Sequence, residues 1–71
     1  MTLTAIIQEG ENGWLVGQLE EIPAVIEQGK TLEEVKANLL SALEFHLETQ
    51  RILTEKEYEG LPVTRTELLV A

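Results

Sequence analysis

The stretch EQGKTLEEVKANLLSALEFHLE, residues 27–48, carries the clearest secondary-structure signals in this 71-residue chain. It indicates the end of a strand, a turn at Gly29 and a helix that begins after Thr31. The spacing Thr31-x-x-Glu34 predicts a capping box, in which the threonine hydroxyl accepts a hydrogen bond from the Glu34 amide and the Glu34 carboxylate accepts one from the N-cap amide. The sequence therefore specifies the start of the helix well.

Apolar residues recur along this helix at a spacing that places them on one face. At about 100° per residue, His46 falls inside that face, whereas Phe45 points away from it and lies beside Asn38, Ser41 and Thr49. We therefore interpret His46 as a core or interface histidine and Phe45 as an exposed contact residue. The helix is predicted to end near Gln50 or Leu53. The predicted apolar face comprises Leu32, Val35, Leu39, Leu40, Ala42, Leu43 and Leu47.

Four other segments have the alternation or the β-branched composition of strands: residues 2–9, 14–19, 24–28 and, after Pro62, residues 63–71. Asn12-Gly13 favours a hairpin turn between the first two segments, and Pro23 interrupts the chain before the third. The predicted fold class is α+β in the order β-β-β-α-β. One helix packs on a small, mainly antiparallel four-stranded sheet, and residues 1–71 form a single domain.

The composition restricts the classes of partner. Thirteen acidic residues against five basic ones give a net charge of −8. This surface repels phosphate backbones, so we expect no direct nucleic-acid binding; it suits a basic protein partner, or it serves only solubility. A chain this short buries only about 60% of the surface that its unfolded form exposes. We therefore expect association with another chain, most simply as a homodimer or higher homo-oligomer.

The sequence contains no arrangement typical of catalysis. All thirteen acids are glutamates, cysteine is absent and there is one histidine. No serine or threonine has the sequence context of an activated nucleophile. We predict a non-enzymatic protein with no metal and no cofactor. The sequence shows no membrane span and no signal peptide, so we expect a cytoplasmic protein.

The order of elements, together with Gly13-Trp14, Pro23 and the run GKTLEE at residues 29–34, resembles the HicB-like antitoxin family of bacterial type II toxin–antitoxin modules. The resemblance extends from Thr2 to about Glu48. The chain departs from the family at EEIPAVIEQG, residues 20–29, where members commonly have a Pro-x-x-x-Gly-Cys-like segment. Lys30 also replaces the acidic residue that usually precedes the capping threonine in this family. The operator-binding module of many members has no counterpart here, so transcriptional autorepression does not transfer.

The resemblance implies a partial RNase H-like fold and a protein that binds and masks a HicA-like toxin, a small basic ribonuclease. We predict four partner-binding residues: Trp14, Glu44, Phe45 and Glu48. Phe45 and Trp14 would supply apolar contacts, and the two glutamates would meet a basic surface. Trp14 has the alternative role of covering the core, and the glutamate pair that of a solvated face. The alternative function is an orphan HicB-like homo-oligomeric domain, structural or regulatory, with no toxin partner.

Overall fold

The computed structural model describes residues 2–70, which form three strands followed by one long helix. Strand β1 spans Ala5–Glu9, β2 spans Leu15–Leu19, β3 spans Ile26–Gly29 and helix α1 spans Leu32–Glu57. A short 3-10 turn, Glu11–Gly13, joins β1 to β2. The strands form one antiparallel sheet in the order β1-β2-β3. The α+β class is confirmed, and the order of elements is β-β-β-α.

The predicted four-stranded sheet is wrong. Residues 63–70 have no regular secondary structure and join no sheet, and Ala71 lies outside the described residues. The helix continues to Glu57 instead of ending near Gln50 or Leu53. Its 26 residues span about 39 Å, whereas strands of four or five residues span about 17 Å. The chain therefore leaves the helix far from the sheet, and the β-β-β-α-β, partial RNase H-like arrangement does not hold.

The turn between β1 and β2 agrees with the prediction for Asn12-Gly13. Both residues adopt positive φ angles, 56° at Asn12 and 77° at Gly13. Glycine and asparagine tolerate this left-handed region better than other residues do. The Gly10 amide donates to the Trp14 carbonyl at 2.7 Å and closes the turn. The hairpin that the dipeptide predicts is confirmed.

The start of α1 also follows the prediction, with one difference. The Glu34 amide donates to Thr31 Oγ1 at 3.1 Å, as a capping box requires. The Glu34 carboxylate accepts from the Lys30 amide at 3.2 Å, one residue before the N-cap amide that the motif predicts. Glu33 and Glu34 occupy the first turn, where the helix dipole favours negative charge.

The core lies between the sheet and the first half of α1. Its buried members are Leu19, Val25, Val35 and Leu39. The partly buried side chains packed around them are Leu3, Ile7, Leu15, Ile22, Ala42 and Leu43. The predicted helix face was too wide, since Leu40 is 62% exposed and Leu47 53% exposed. Both lie on the flank of the helix, and the strands do not cover it.

Candidate functional site

An open groove runs between α1 and β3, which is an edge strand of the sheet; we call it the β3 groove. It has a volume of about 480 Å³. One wall comprises Ala24, Val25, Ile26 and Glu27, and the other comprises Asn38, Ser41, Ala42, Phe45, His46 and Thr49. The helix wall agrees with the prediction that Phe45 lies beside Asn38, Ser41 and Thr49. The strand wall was not predicted from the sequence, because it depends on how β3 pairs with β2 beneath the helix.

Asn38 fixes the helix against β3 at the base of this groove. Its Nδ2 donates to the Gln28 carbonyl oxygen at 2.8 Å. The Leu19 amide of β2 donates to the Val25 carbonyl, so the backbone groups of Val25 point toward β2. Along a strand, the backbone groups of successive residues point alternately toward the neighbouring strand and away from it. The Gln28 carbonyl therefore points outward, away from β2, and Asn38 satisfies a backbone group that the sheet leaves unpaired.

Phe45 is the most exposed aromatic residue of the described chain, at 75%. It lies at the mouth of the β3 groove, on the helix side. His46, its neighbour, is partly buried and lines the same groove. The expectation that His46 belongs to a core or interface position fits this placement. An exposed phenylalanine beside an open groove is a surface that another molecule can cover.

The predicted contact residues Glu44 and Glu48 lie on the solvent side of α1, outside the β3 groove. Glu48 is not a free negative charge, because its Oε1 contacts Arg51 Nη2 at 2.7 Å. Arg51 Nη1 also contacts Glu55 Oε1 at 3.0 Å. Hydrogen bonding and the charge of Arg51 lower the pKa of Glu48, and the same pair raises the pKa of Arg51. This surface keeps a net negative charge, but Arg51 partly neutralises it.

The fourth predicted contact residue, Trp14, lies at the other end of the molecule. It is half-buried and does not belong to the core cluster. The Lys30 Nζ lies 4.4 Å from the centre of its ring, in cation–π geometry. Lys30 stands just before the helix, whereas Phe45 lies about 20 Å further along the helix axis at a rise of ~1.5 Å per residue. Trp14 and Phe45 therefore do not form one patch.

The open face of the sheet carries a second exposed apolar surface. Ile6 and Ile26 both pair with Gln18, from opposite sides, and each is about half exposed. The Gln18 side chain between them donates to the Pro23 carbonyl at 2.8 Å. The sheet is therefore covered by the helix on one face only, as a single helix on three strands requires.

Among residues 2–70, no three His, Cys, Asp or Glu side chains lie close enough together to hold a metal ion. Over the same residues, α1 is the longest helix, and neither it nor any other is apolar enough to cross a membrane. The features of the described surface are thus a groove, exposed apolar side chains and an excess of acidic charge.

These features define a small α+β domain with one helix on a three-stranded antiparallel sheet. A curated relative, the UPF0150 protein of Archaeoglobus fulgidus, is 25% identical to this chain over 67 residues. The match covers 94% of this chain and 97% of the relative, so the two proteins are similar in length as well as in sequence. No protein-family model matches the chain, and no solved structure matches it.

Proposed function

We propose that this protein is an antitoxin-like binding module that binds and masks a HicA-type ribonuclease of a bacterial type II toxin–antitoxin module. The observation that carries the proposal is Phe45, 75% exposed at the mouth of the β3 groove in a strongly acidic chain. The proposed action is steric and electrostatic masking in the cytoplasm. It requires no catalytic residue, metal or cofactor of this chain.

The apolar part of the proposed interface is Phe45 with the groove beside it. Aromatic residues that fill a partner's pocket supply a large share of the binding free energy in protein interfaces. The groove has an apolar floor, Val25 and Ala42, and its lining also includes the polar side chains of Glu27, Asn38 and Thr49. A partner side chain inserted between α1 and β3 would bury Phe45 without rearrangement of the core.

The electrostatic part of the proposed interface is the net charge of −8. Complementary charge accelerates encounter with a basic protein and competes with RNA for the same basic surface. Glu44 lies one residue before Phe45, and Glu27 lines the groove opposite it. Binding through these groups weakens as salt is added, because exposed charges are screened over about 8–10 Å at physiological ionic strength.

The test is a ribonuclease assay with a purified HicA-type protein. The parent protein is expected to abolish RNA cleavage at equimolar ratio in low salt. Phe45→Ser is expected to weaken inhibition by about tenfold or more, since it removes the largest exposed apolar contact. The matched control is Leu61→Ser, because Leu61 is also exposed but lies beyond the helix. Full cleavage in an excess of parent protein contradicts the proposal.

The alternative is an orphan homo-oligomeric domain that acts by self-association without a toxin. The exposed apolar residues that follow the helix favour this second function. Leu68, Leu69 and Val70 are more exposed than any core residue and contribute nothing to the packing of the described chain. Homodimerisation is also compatible with the antitoxin function, since the β3 groove and these residues lie on different parts of the molecule.

A further inference from the structure

We infer that residues 62–70 of one copy of this chain pair with the free edge of β1 in a second copy, reciprocally, so that two chains exchange strands. We call residues 62–70 the exchange segment. The inference rests on the self-association considered above and requires no toxin. It names the segment, the edge that receives it and the partner, which is an identical chain.

The exchange segment has the sequence pattern of a strand but no strand partner within residues 2–70. Thr64, Thr66, Leu68 and Val70 alternate with Val63, Arg65, Glu67 and Leu69. Pro62 stands at its start, where a strand tolerates the absence of an amide donor. Leu68 is 85% exposed and Leu69 fully exposed, so their apolar side chains have no cover in the monomer. Pairing with another sheet would satisfy both the backbone and these side chains.

β1 offers a free edge with the required backbone groups. The Glu20 amide donates to the Thr4 carbonyl, and the Gly10 amide donates to the Trp14 carbonyl. Residues of an antiparallel strand alternate between facing the partner strand and facing away from it. The amides and carbonyls of Ala5, Ile7 and Glu9 therefore point away from β2, along an edge that no other strand covers in residues 2–70.

The other edge of the sheet is less available. On β3 the backbone groups of Ile26 and Gln28 point away from β2, because the alternation along the strand starts from the Val25 carbonyl, which accepts from the Leu19 amide of β2. Asn38 already occupies the outward Gln28 carbonyl. The helix side chain thus blocks one of the two positions at which a new strand would pair with β3. The open edge of β1 is the better acceptor.

The exchange segment does not pair with β1 of its own chain. It runs back beside the helix, where Thr64 and Thr66 approach Leu47 and Gln50. β1 lies further along, since Ala5 lines a recess with Leu40 and other residues of the first half of α1. From Thr66 to Val70 an extended chain covers about 13 Å, and Leu47 to Leu40 covers about 10 Å of helix. The segment therefore reaches only the start of β1, and a ladder along Ala5–Glu9 requires a second copy.

The surroundings of β1 suit this segment in size and charge. An apolar recess of about 170 Å³ borders β1; its lining residues are Leu3, Ala5, Leu19, Lys36, Leu39, Leu40 and Leu43. One face of an added strand would place Leu68 or Val70 over this recess. The exchange segment contains one Arg and one Glu and is therefore neutral, unlike the rest of this acidic chain. It can dock on a second copy without adding to the repulsion between two negative proteins.

The first test is the dimer dissociation constant, measured by analytical ultracentrifugation. Leu68→Asp is expected to weaken the dimer by about tenfold or more, because a desolvated charge replaces an apolar contact. Leu61→Asp is the matched control: it makes the same change at an exposed leucine outside the segment, and no weakening is expected. A parent protein that is monomeric at high concentration, or equal weakening by both variants, overturns the inference.

The second test locates the contact. A spin label is attached to Glu67→Cys in the otherwise cysteine-free chain, and this protein is mixed with 15N-labelled parent protein. Relaxation enhancement is expected at the amides of Ala5–Glu9 in the 15N-labelled copy. Enhancement confined to other residues, such as the β3 groove, overturns strand exchange even if a dimer forms. Neither test uses the ribonuclease, so failure here leaves the antitoxin function to be judged by its own assay.

Discussion

Gly17 is the residue at which the helix comes closest to the sheet. A Cβ atom built at this position would lie 2.6 Å from Val35 Cγ1 and 3.0 Å from both Ile7 Cδ1 and Leu39 Cδ1. Val35 and Leu39 are buried core residues, so they cannot move aside without disturbing other packing. The absence of a side chain at the centre of β2 therefore sets how closely α1 packs.

Gly17→Ala is expected to lower the free energy of unfolding by about 1–3 kcal/mol, the usual range for overpacking of a core. Gly10→Ala is the matched control, because its Cβ would meet Val16 Cγ2 at an ordinary 3.4 Å and its φ of −100° suits alanine. Urea denaturation followed by circular dichroism measures both variants. Equal stability of Gly17→Ala and the parent would contradict the described packing.

Glu21 is expected to make folding dependent on pH in the acid range. Its carboxylate accepts a hydrogen bond from the Thr4 amide at 2.8 Å, and this bond lowers the pKa of Glu21 below its ordinary 4.5. A carboxyl group whose pKa is lower in the folded state than its ordinary 4.5 stabilises the fold at pH values above 4.5. This contribution is lost as the pH falls through the folded-state pKa.

The thermal midpoint of Glu21→Gln should therefore be slightly below that of the parent at about pH 7 and equal to it at about pH 2, where both side chains are uncharged. Glu20→Gln is the matched control, since Glu20 is the adjacent exposed glutamate. Thermal melts across the acid range make the comparison. A constant difference between Glu21→Gln and the parent at every pH would show that charge at position 21 has no part in stability.

At the scale of elements, α1 has two halves with different environments. The first half covers the sheet through Val35 and Leu39, and the second half extends past the strands with Leu47 and Leu53 about half exposed. Only the first half contributes to the core cluster. The second half owes its helical state to local preferences, including the ion pairs of Arg51 with Glu48 and Glu55.

The neighbouring residues Leu39 and Leu40 lie on different sides of α1: Leu39 is buried against the sheet, and Leu40 lies on the exposed flank. Leu39→Ala is expected to cost about 2–5 kcal/mol, because it leaves a cavity in the core. Leu40→Ala should change stability by less than about 0.5 kcal/mol, as exposed substitutions usually do. Chemical denaturation of the two variants measures this contrast. Similar losses of stability in both variants would contradict the described orientation, in which the Leu39 face of the helix packs on the sheet and the Leu40 face does not.

The sequence predicts local features of these elements well and non-local ones poorly. Thr31 and Glu34 are three residues apart, and Asn12 and Gly13 are adjacent, so local chemistry is enough to place the cap and the turn. The predicted helix end is too early because residues 54–57 are polar and carry no apolar periodicity, although Glu and Lys are good helix formers. The helix ends at the C-cap Tyr58, and the first glycine of this region, Gly60, follows two residues later with a φ of 80°.

The error in the fourth strand has the same origin. The alternation of residues 63–70 is real, but alternation does not specify which strand is the partner. That depends on where the preceding helix delivers the chain, and a longer helix delivers it beyond the sheet. Of the predicted contact residues, Phe45 could be placed from the helical period alone. The separation of Trp14 from Phe45 could not, because it depends on how the hairpin packs against α1.

At the scale of the whole molecule, the protein is elongated, with extents of 53 × 25 × 15 Å. One end contains the sheet, the core and the Trp14–Lys30 contact. The other end contains the second half of α1 and the exchange segment, both with exposed apolar side chains. The β3 groove lies between them on one flank. The proposed self-association and the proposed binding of a different partner therefore use separate surfaces.

The measurement that tests the central claim most directly is light scattering on size-exclusion-purified protein, alone and mixed with a HicA-type ribonuclease. We predict a dimer of the protein alone and a stable heterocomplex in the mixture, which the Phe45→Ser variant forms less well than the parent. Elution of the two proteins as separate species at low salt would contradict the antitoxin function. A homodimer that ignores the ribonuclease would support the orphan domain instead.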